Sequence, residues 1–298
     1  MTVEIIDSNF KKQIIFLLNN NWTGKSDIYF PLQNSVNIER RYIFKLNNFN
    51  YIFYKKNTQD TKRAILFLFL DKNASQKAVI ILKDLTIYNI VLECADEYYN
   101  NSIFDVSYTP EKICIYDTFF ISGKKINRYS FTERISEAET FKHNIVTSEI
   151  SVAVTSYVFD IKEISEPLEE GNEIFMIPND LPIVTGINYS CFKWKPPELI
   201  TFSLLIKEEG DDLLLYSTMF KNEILFSRIY NSDPKGSEYI QTIKNMEKYK
   251  PGCIIDLNIS DKIKILNVND FKTIPSTIRS IEKILTIKKE NIKLKDLI

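Results

Sequence analysis

The chain has 298 residues, 44% of them hydrophobic, and a formal net charge of −1. That is enough to bury one large or two smaller cores, without the global basic field that recruits nucleic acid by charge alone. The single histidine, His143, rules out a histidine metal cluster, and seven glycines supply no GxGxxG or GxxxxGK[ST] loop, which argues against Rossmann and P-loop chemistry. Four scattered cysteines (Cys94, Cys114, Cys191, Cys253) lack CxxC spacing, so neither zinc nor a disulfide framework is expected and a reduced compartment fits. The N-terminus has no signal-peptide pattern and no apolar run reaches membrane-spanning length, so an intracellular protein without a membrane partner is expected.

In chain order, a helix is predicted within Ser8–Asn20. Runs rich in β-branched and aromatic residues then predict strands at Tyr51–Tyr54, Ala64–Leu70, Ala78–Leu82 and Lys112–Ile121. A second helix is predicted within Arg128–Asn144, followed by strands at Ile174–Ile177, Phe202–Ile206 and Leu213–Tyr216. Ile278, Ile281, Ile284 and Leu285 form one helical stripe, opened by Pro275-Ser276-Thr277 as start signals. The pattern is α+β and strand-rich. The one reasonable domain break follows Pro196-Pro197, dividing the chain into 1–197 and 198–298.

Lys193-Trp194-Lys195-Pro196-Pro197 is the most informative stretch. If it is extended, Lys193 and Lys195 project from one face, about 7 Å apart, while Trp194 points inward. Two ammonium groups so spaced can clamp neighbouring phosphate oxygens; the competing reading is a solvated edge strand guarded by lysine.

The stretch resembles the fifth motif of eukaryotic and viral mRNA guanylyltransferases, the capping enzymes of the covalent nucleotidyltransferase superfamily. Asn172-Glu173-Ile174-Phe175-Met176-Ile177-Pro178, then Gly186, then Phe192-Lys193-Trp194-Lys195-Pro196 follow that family's order. Phe30-Pro31 with Val36 and Ile38 resembles its lead-in, and Tyr51-Ile52-Phe53-Tyr54 the strand that delivers the nucleophile. Ile113-Cys114-Ile115-Tyr116-Asp117 resembles its Tyr-Leu-Ile-Tyr-Asp strand, with Phe119 as a candidate base-stacking ring beside a core-packing alternative. Gly252-Cys253-Ile254-Ile255-Asp256 resembles its Gly-x-Ile-Val-Glu strand. The resemblance implies an antiparallel-sheet nucleotidyltransferase domain followed by an OB-fold barrel capped by the Ile278–Leu285 helix.

The charged positions of the family depart from its pattern. Guanylyl transfer requires a deprotonated lysine amine to attack the α-phosphorus of GTP. Aligning the KxDGxR motif on Asp60 and Arg63 puts Thr58 at the nucleophile position. Lys55 stands at the family's usual distance from Tyr51, with Lys56 as second choice, against the alternative of a solvated strand end for both. Ser107 replaces the third-motif glutamate, and Asn172 the fourth-motif acid, beside Glu169, Glu170 and Glu173. Asn267, Asn269 and Phe271 replace the barrel's arginines and aspartate, while Lys272 is retained.

The resemblance therefore implies a catalytically inactive guanylyltransferase-like subunit of a viral or protist capping or transcription apparatus. Its partners would be capping-enzyme or RNA polymerase subunits, in cytoplasm, nucleus or virion. Arg63, Lys193, Lys195 and Lys272 would bind a nucleotide or an RNA 5′ end, with no metal site. The alternative is an active guanylyltransferase carrying GMP on Lys55 or Lys56, with GTP and magnesium or manganese. A third reading is a structural scaffold with no ligand.

Overall fold

The computed structural model describes residues 3–5, 7–23, 30–57, 61–164, 172–259, 263–269 and 274–297. It divides into two compact units, one comprising Met1–Ile38 and Tyr42–Trp194, the other Glu39–Arg41 and Lys195–Ile298.

The first unit is built on a large sheet whose centre is the Lys62–Leu70 strand. The antiparallel Gln76–Leu82 strand lies on one side and Ser102–Tyr108 on the other. The sheet continues beyond these through Ile87–Ile90 to Val3–Glu4, and through Lys112–Ile121 to Lys124–Lys125. Ser151–Val154 is the exception to the antiparallel rule, pairing parallel with Lys112–Ile121. The sequence Ala64-Ile65-Leu66-Phe67-Leu68-Phe69 is apolar on both faces because both faces are covered. Ala64, Leu66 and Leu68 join a core with Ala138 and Phe141 of the Phe131–His143 helix. Ile65, Phe67 and Phe69 join another with Ile14, Leu18 and Trp22 of the Ser8–Thr23 helix. Ser130 and Glu133 close a capping box at the start of the Phe131–His143 helix, satisfying donors that a helix terminus otherwise leaves open.

A smaller sheet has the order Gln33–Asn37, Gly186–Trp194, Asn172–Pro178, Tyr51–Asn57. The last two pair antiparallel over seven residue pairs, from Asn172↔Asn57 to Pro178↔Tyr51. Between the sheets, Ile52, Tyr54 and Ile177 meet Tyr116 of the large sheet and Phe131 and Ile135 of the helix. Tyr54 lies at the centre, its ring 5.4 Å from Phe175, 5.6 Å from Tyr116 and 5.8 Å from Phe131.

The second unit is a five-stranded antiparallel sheet of Thr201–Glu209, Asp212–Met219, Asn222–Ile229, Ile254–Ile259 and Ile263–Val268. In space the order is third, second, first, fourth, fifth. The Ile278–Glu290 helix begins at Thr277, whose side chain accepts from the Ser280 amide, and ends on Asn291 in the left-handed region; it runs past the predicted stripe. Sequence reading missed the Pro234–Lys244 helix between the third and fourth strands. Its signals are short: Asp233 caps the Gly236 amide and Pro234 occupies the first turn, a start signature. Ile240 and Ile243 bury its inner face beside Phe202, Leu213, Ile255 and Ile281.

Candidate functional site in the first unit

The Tyr51–Asn57 strand carries Ile52 and Tyr54 into the space between the sheets, and strict alternation sends Lys56 after them. Lys55 and Asn57 are exposed while Lys56 is 5% exposed. A buried lysine at the end of an apolar face is costly unless partnered. Its ammonium is 3.8 Å from Asp105 Oδ1. It sits 4.1 Å from the centroid of the Tyr116 ring and 5.7 Å from that of Phe175. Burial lowers its pKa from 10.5 to about 8; Asp105 pulls it back up and Arg63 pushes it further down. Near pH 8, therefore, a large fraction of Lys56 is a neutral amine, the nucleophilic form.

Asp105 projects from Ser102–Tyr108 and is held chiefly by Arg63, at the head of the central strand. Arg63 Nη2 lies 2.7 Å from Oδ2 and Nε 3.3 Å from Oδ1. Burial works to raise the Asp105 pKa, but Arg63 and Lys56 outweigh it and the carboxyl ends below its ordinary value. Arg63 also donates through Nη1 to Asn34 Oδ1 at 3.0 Å and through Nη2 to the Gln33 carbonyl, tying the large sheet to the smaller one. The fork read from sequence as a phosphate ligand is thus largely committed to holding the two sheets together.

On the neighbouring strand Glu173 stands in register with Lys56, and Phe175 with Tyr54. Glu173 is 6% exposed and accepts from Lys193 Nζ at 2.9 Å. The cluster holds three cations, Lys56, Arg63 and Lys193, and two carboxylates, Asp105 and Glu173. It carries a single net positive charge when Lys56 is protonated and none when it is not. The side chains of Lys193 and Arg63 are 32% and 28% exposed, so these two present the cluster's charge to solvent.

Behind this layer Asp117 stands opposite Asp105 in the strand register. Burial raises its pKa, against a buried ion pair with Arg134, whose Nε is 2.8 Å from Oδ1 and Nη2 3.1 Å from Oδ2. Two carboxylates side by side in a core are tolerated because each has its own guanidinium.

The remaining residues singled out in the sequence fall elsewhere. Ser107 donates from Oγ to the Tyr116 hydroxyl at 3.4 Å, so a hydroxyl occupies the predicted place of a carboxylate. Asn172 opens its strand opposite Asn57. The Gly186–Trp194 strand stops at Trp194, and Lys195 belongs to the second unit; the alternation that aligned it with Lys193 does not extend to it. Asn267 is exposed, and Asn269 donates from Nδ2 to Asp256 Oδ2 at 2.7 Å. Phe119 is a core residue stacked on Trp22 with ring centroids 4.5 Å apart, and it is Tyr116 whose ring faces the lysine. Thr58, Asp60, Glu169, Glu170, Phe271 and Lys272 lie outside the described residues.

Sequence reading passed over Asp105 and Tyr116 as site residues. The signal was present: Asp105-Val106-Ser107 occupies the place of the resembled Asp-Gly-Glu, and its aspartate is retained. Among the described residues no group of three His, Cys, Asp or Glu side chains could hold a metal ion. Asp105 and Glu173 are both engaged by cations, so this donor set does not fit a protein-held divalent ion. Nor, among the described residues, is any helix long and apolar enough to cross a membrane.

No protein-family profile and no curated protein matches the chain. Solved structures similar to it include a Lig E DNA ligase, at TM-score 0.38 and 11% identity, covering 81% of this chain and 100% of that one. The ligase domain of M. tuberculosis LigD gives 0.35 and 10%, covering 81% and 94%. The ATP-dependent DNA ligase of bacteriophage T7, in complex with ATP, gives 0.39 and 11%, covering 80% and 98%. Likeness at this level assigns neither an activity nor a substrate to this chain.

Proposed function

We propose that the first unit is a nucleotide-binding module of the covalent nucleotidyltransferase type, in which Lys56 is the residue that meets the α-phosphate. The observation that carries this reading is Lys56 itself: a buried primary amine with its pKa lowered to about 8, beside an acid and two aromatic rings, with Glu173 in register on the next strand holding the part-exposed Lys193. In the full reaction the neutral amine attacks the α-phosphorus of a nucleoside triphosphate. An N–P bond forms, the bond to the bridging oxygen breaks, and pyrophosphate leaves with the electron pair. The amine's remaining extra proton passes to solvent. No step runs through a protein-held metal.

The mRNA-capping resemblance makes GTP the first nucleotide to try and an RNA 5′ end the acceptor. Capping-enzyme or RNA polymerase subunits would be its partners. The second unit reads as an OB-type barrel, supported by its strand order and by the helix between its third and fourth strands, with a boundary near Pro197. A second reading, binding without transfer, is favoured by Ser107, which supplies no carboxylate where the family uses one.

The test is incubation with α-labelled GTP, and in parallel ATP, with magnesium or manganese, followed by denaturation. Transfer predicts acid-labile label on wild type and Lys55→Ala and none on Lys56→Ala. Wild type without label, but with GTP binding that weakens steeply with salt and is lost in Lys193→Ala, establishes the non-catalytic reading. Neither label nor binding rejects both.

A further inference from the structure

The second unit leaves a cavity of about 470 Å³ between the Pro234–Lys244 helix and the Ile263–Val268 strand. On the helix it is lined by Lys235, Glu238, Tyr239 and Thr242, spaced as one helical stripe. On the strand it is lined by three consecutive residues, Lys264, Ile265 and Leu266. Successive strand side chains ordinarily point to opposite faces, so three in a row lining one space mark a space along the strand's edge or a break in the alternation.

That edge is open. Among the described residues Ile263–Val268 pairs on one side alone, with Ile254–Ile259, which leaves its outer row of backbone donors and acceptors without a ladder partner. The register shifts between Asp256↔Asn267 and Leu257↔Ile265, so Leu266 is the extra residue of a bulge. A bulge re-aims a side chain, and Leu266 is 48% exposed. An open edge, a helix flank and an apolar side chain turned into the groove between them are the parts of a strand-addition site.

We propose that this groove binds an extended peptide segment of a partner protein, added as a strand on the Ile263–Val268 edge, with an apolar residue on Leu266 and an acidic residue between Lys235 and Lys264. The acid follows from charge complementarity: among the described residues two lysines face a single glutamate, Glu238, on the groove wall. One net positive charge over an apolar floor suits a carboxylate better than a run of phosphates, each of which asks for its own cation. The inference rests on the second unit alone and stands whether or not Lys56 takes a nucleotide.

The probe is a phage-displayed library of random decapeptides selected on the immobilised full chain. Enriched peptides are expected to alternate apolar residues with at least one acid. The best of them, made synthetically, should bind wild type and Lys56→Ala equally. It should bind Leu266→Asp, and independently the helix-surface variant Lys235→Glu, at least tenfold more weakly. It should slow hydrogen exchange at the amides of residues 263–268, and a proline at its central apolar position should abolish binding. Three results would overturn the proposal: no enrichment, equal binding to both variants, or protection elsewhere in the chain. Salt-steep binding of oligouridylate that is lost in Lys235→Glu, with no peptide enriched, would assign the groove to RNA and reject the peptide.

Discussion

Lys56 gives the site a measurable signature in stability before any ligand is added. Its pKa falls from 10.5 to about 8 on folding, so keeping it charged inside costs about 3 kcal/mol. The sign follows from proton counting. Below pH 8 both folded and unfolded chains hold the proton and the full cost is present. Between about pH 8 and 10.5 the unfolded chain holds it and the folded chain does not, so stability rises with pH. By pH 9.5 about 2 kcal/mol of the cost is relieved. Buried cysteines such as Cys94 and Cys191, raised to about 11 and about 12, work in the opposite direction as the unfolded thiols ionise near pH 9, and tyrosines such as Tyr51, raised by burial to about 12, join them above pH 10. Both contributions are shared by a variant at Lys56 and cancel in the difference, which is read between pH 7 and 9.5. Replacing the lysine by methionine keeps an unbranched side chain of similar length and removes the titration. Urea unfolding followed by fluorescence, at pH 7 and 9.5, should show wild type gaining about 2 kcal/mol relative to Lys56→Met. At pH 7 the variant should be the more stable protein, since Asp105 keeps its pairing with Arg63. If the two proteins change in parallel across this window, Lys56 is not buried as described and its nucleophilic role loses its physical basis.

Asp105→Asn removes the attraction that holds the Lys56 pKa up, so the midpoint of any pH–rate profile for lysine labelling should move below about 8. Asp117→Ala strands Arg134, whose side chain is 1% exposed, and should cost about 3–5 kcal/mol in urea unfolding. Gly236→Ala would bring a Cβ within 2.1 Å of the Tyr230 carbonyl oxygen. Backbone cannot yield as a flexible side chain does, so a clear fall in thermal midpoint is expected. Thr277→Ala removes the cap of the Ile278–Glu290 helix and should cost about 1 kcal/mol by the same urea measurement.

Much of the framework could be read from local pattern. Ala64–Leu70 announces a strand buried on both faces, and the stripe through Ile278, Ile281 and Leu285 announces a helix, because each pattern is fixed by periodicity within a few residues. The Pro234–Lys244 helix escaped because its apolar positions are few: Ile240 and Ile243 are its buried aliphatic side chains, Gly236 is buried without one, and most of its other residues are polar. Its Asp-Pro start is just as common in turns. Tyr116 and Phe119 are both aromatic residues on one strand, and nothing local distinguishes them. One faces Lys56 and the other Trp22 because the sheet has different neighbours on its two faces.

The choice between Lys55 and Lys56 exposes the same limit. Motif spacing counts residues along one segment and is thrown off by any insertion. The face of a strand is decided instead by what it packs on. Ile52 and Tyr54 bury against Tyr116 and Phe131, and that packing, two and four residues upstream, commits Lys56 to the interior. Glu173 opposite and Asp105 across the gap then meet it from strands more than a hundred and almost fifty residues away in sequence. A one-residue slip of this strand would turn Lys55 inward, but it would also take Ile52 and Tyr54 out of their packing on Tyr116 and Phe131 and put Tyr51 and Phe53 in their place. The aromatic packing thus fixes which amine is buried, and the buried amine is the one whose pKa can fall far enough to attack.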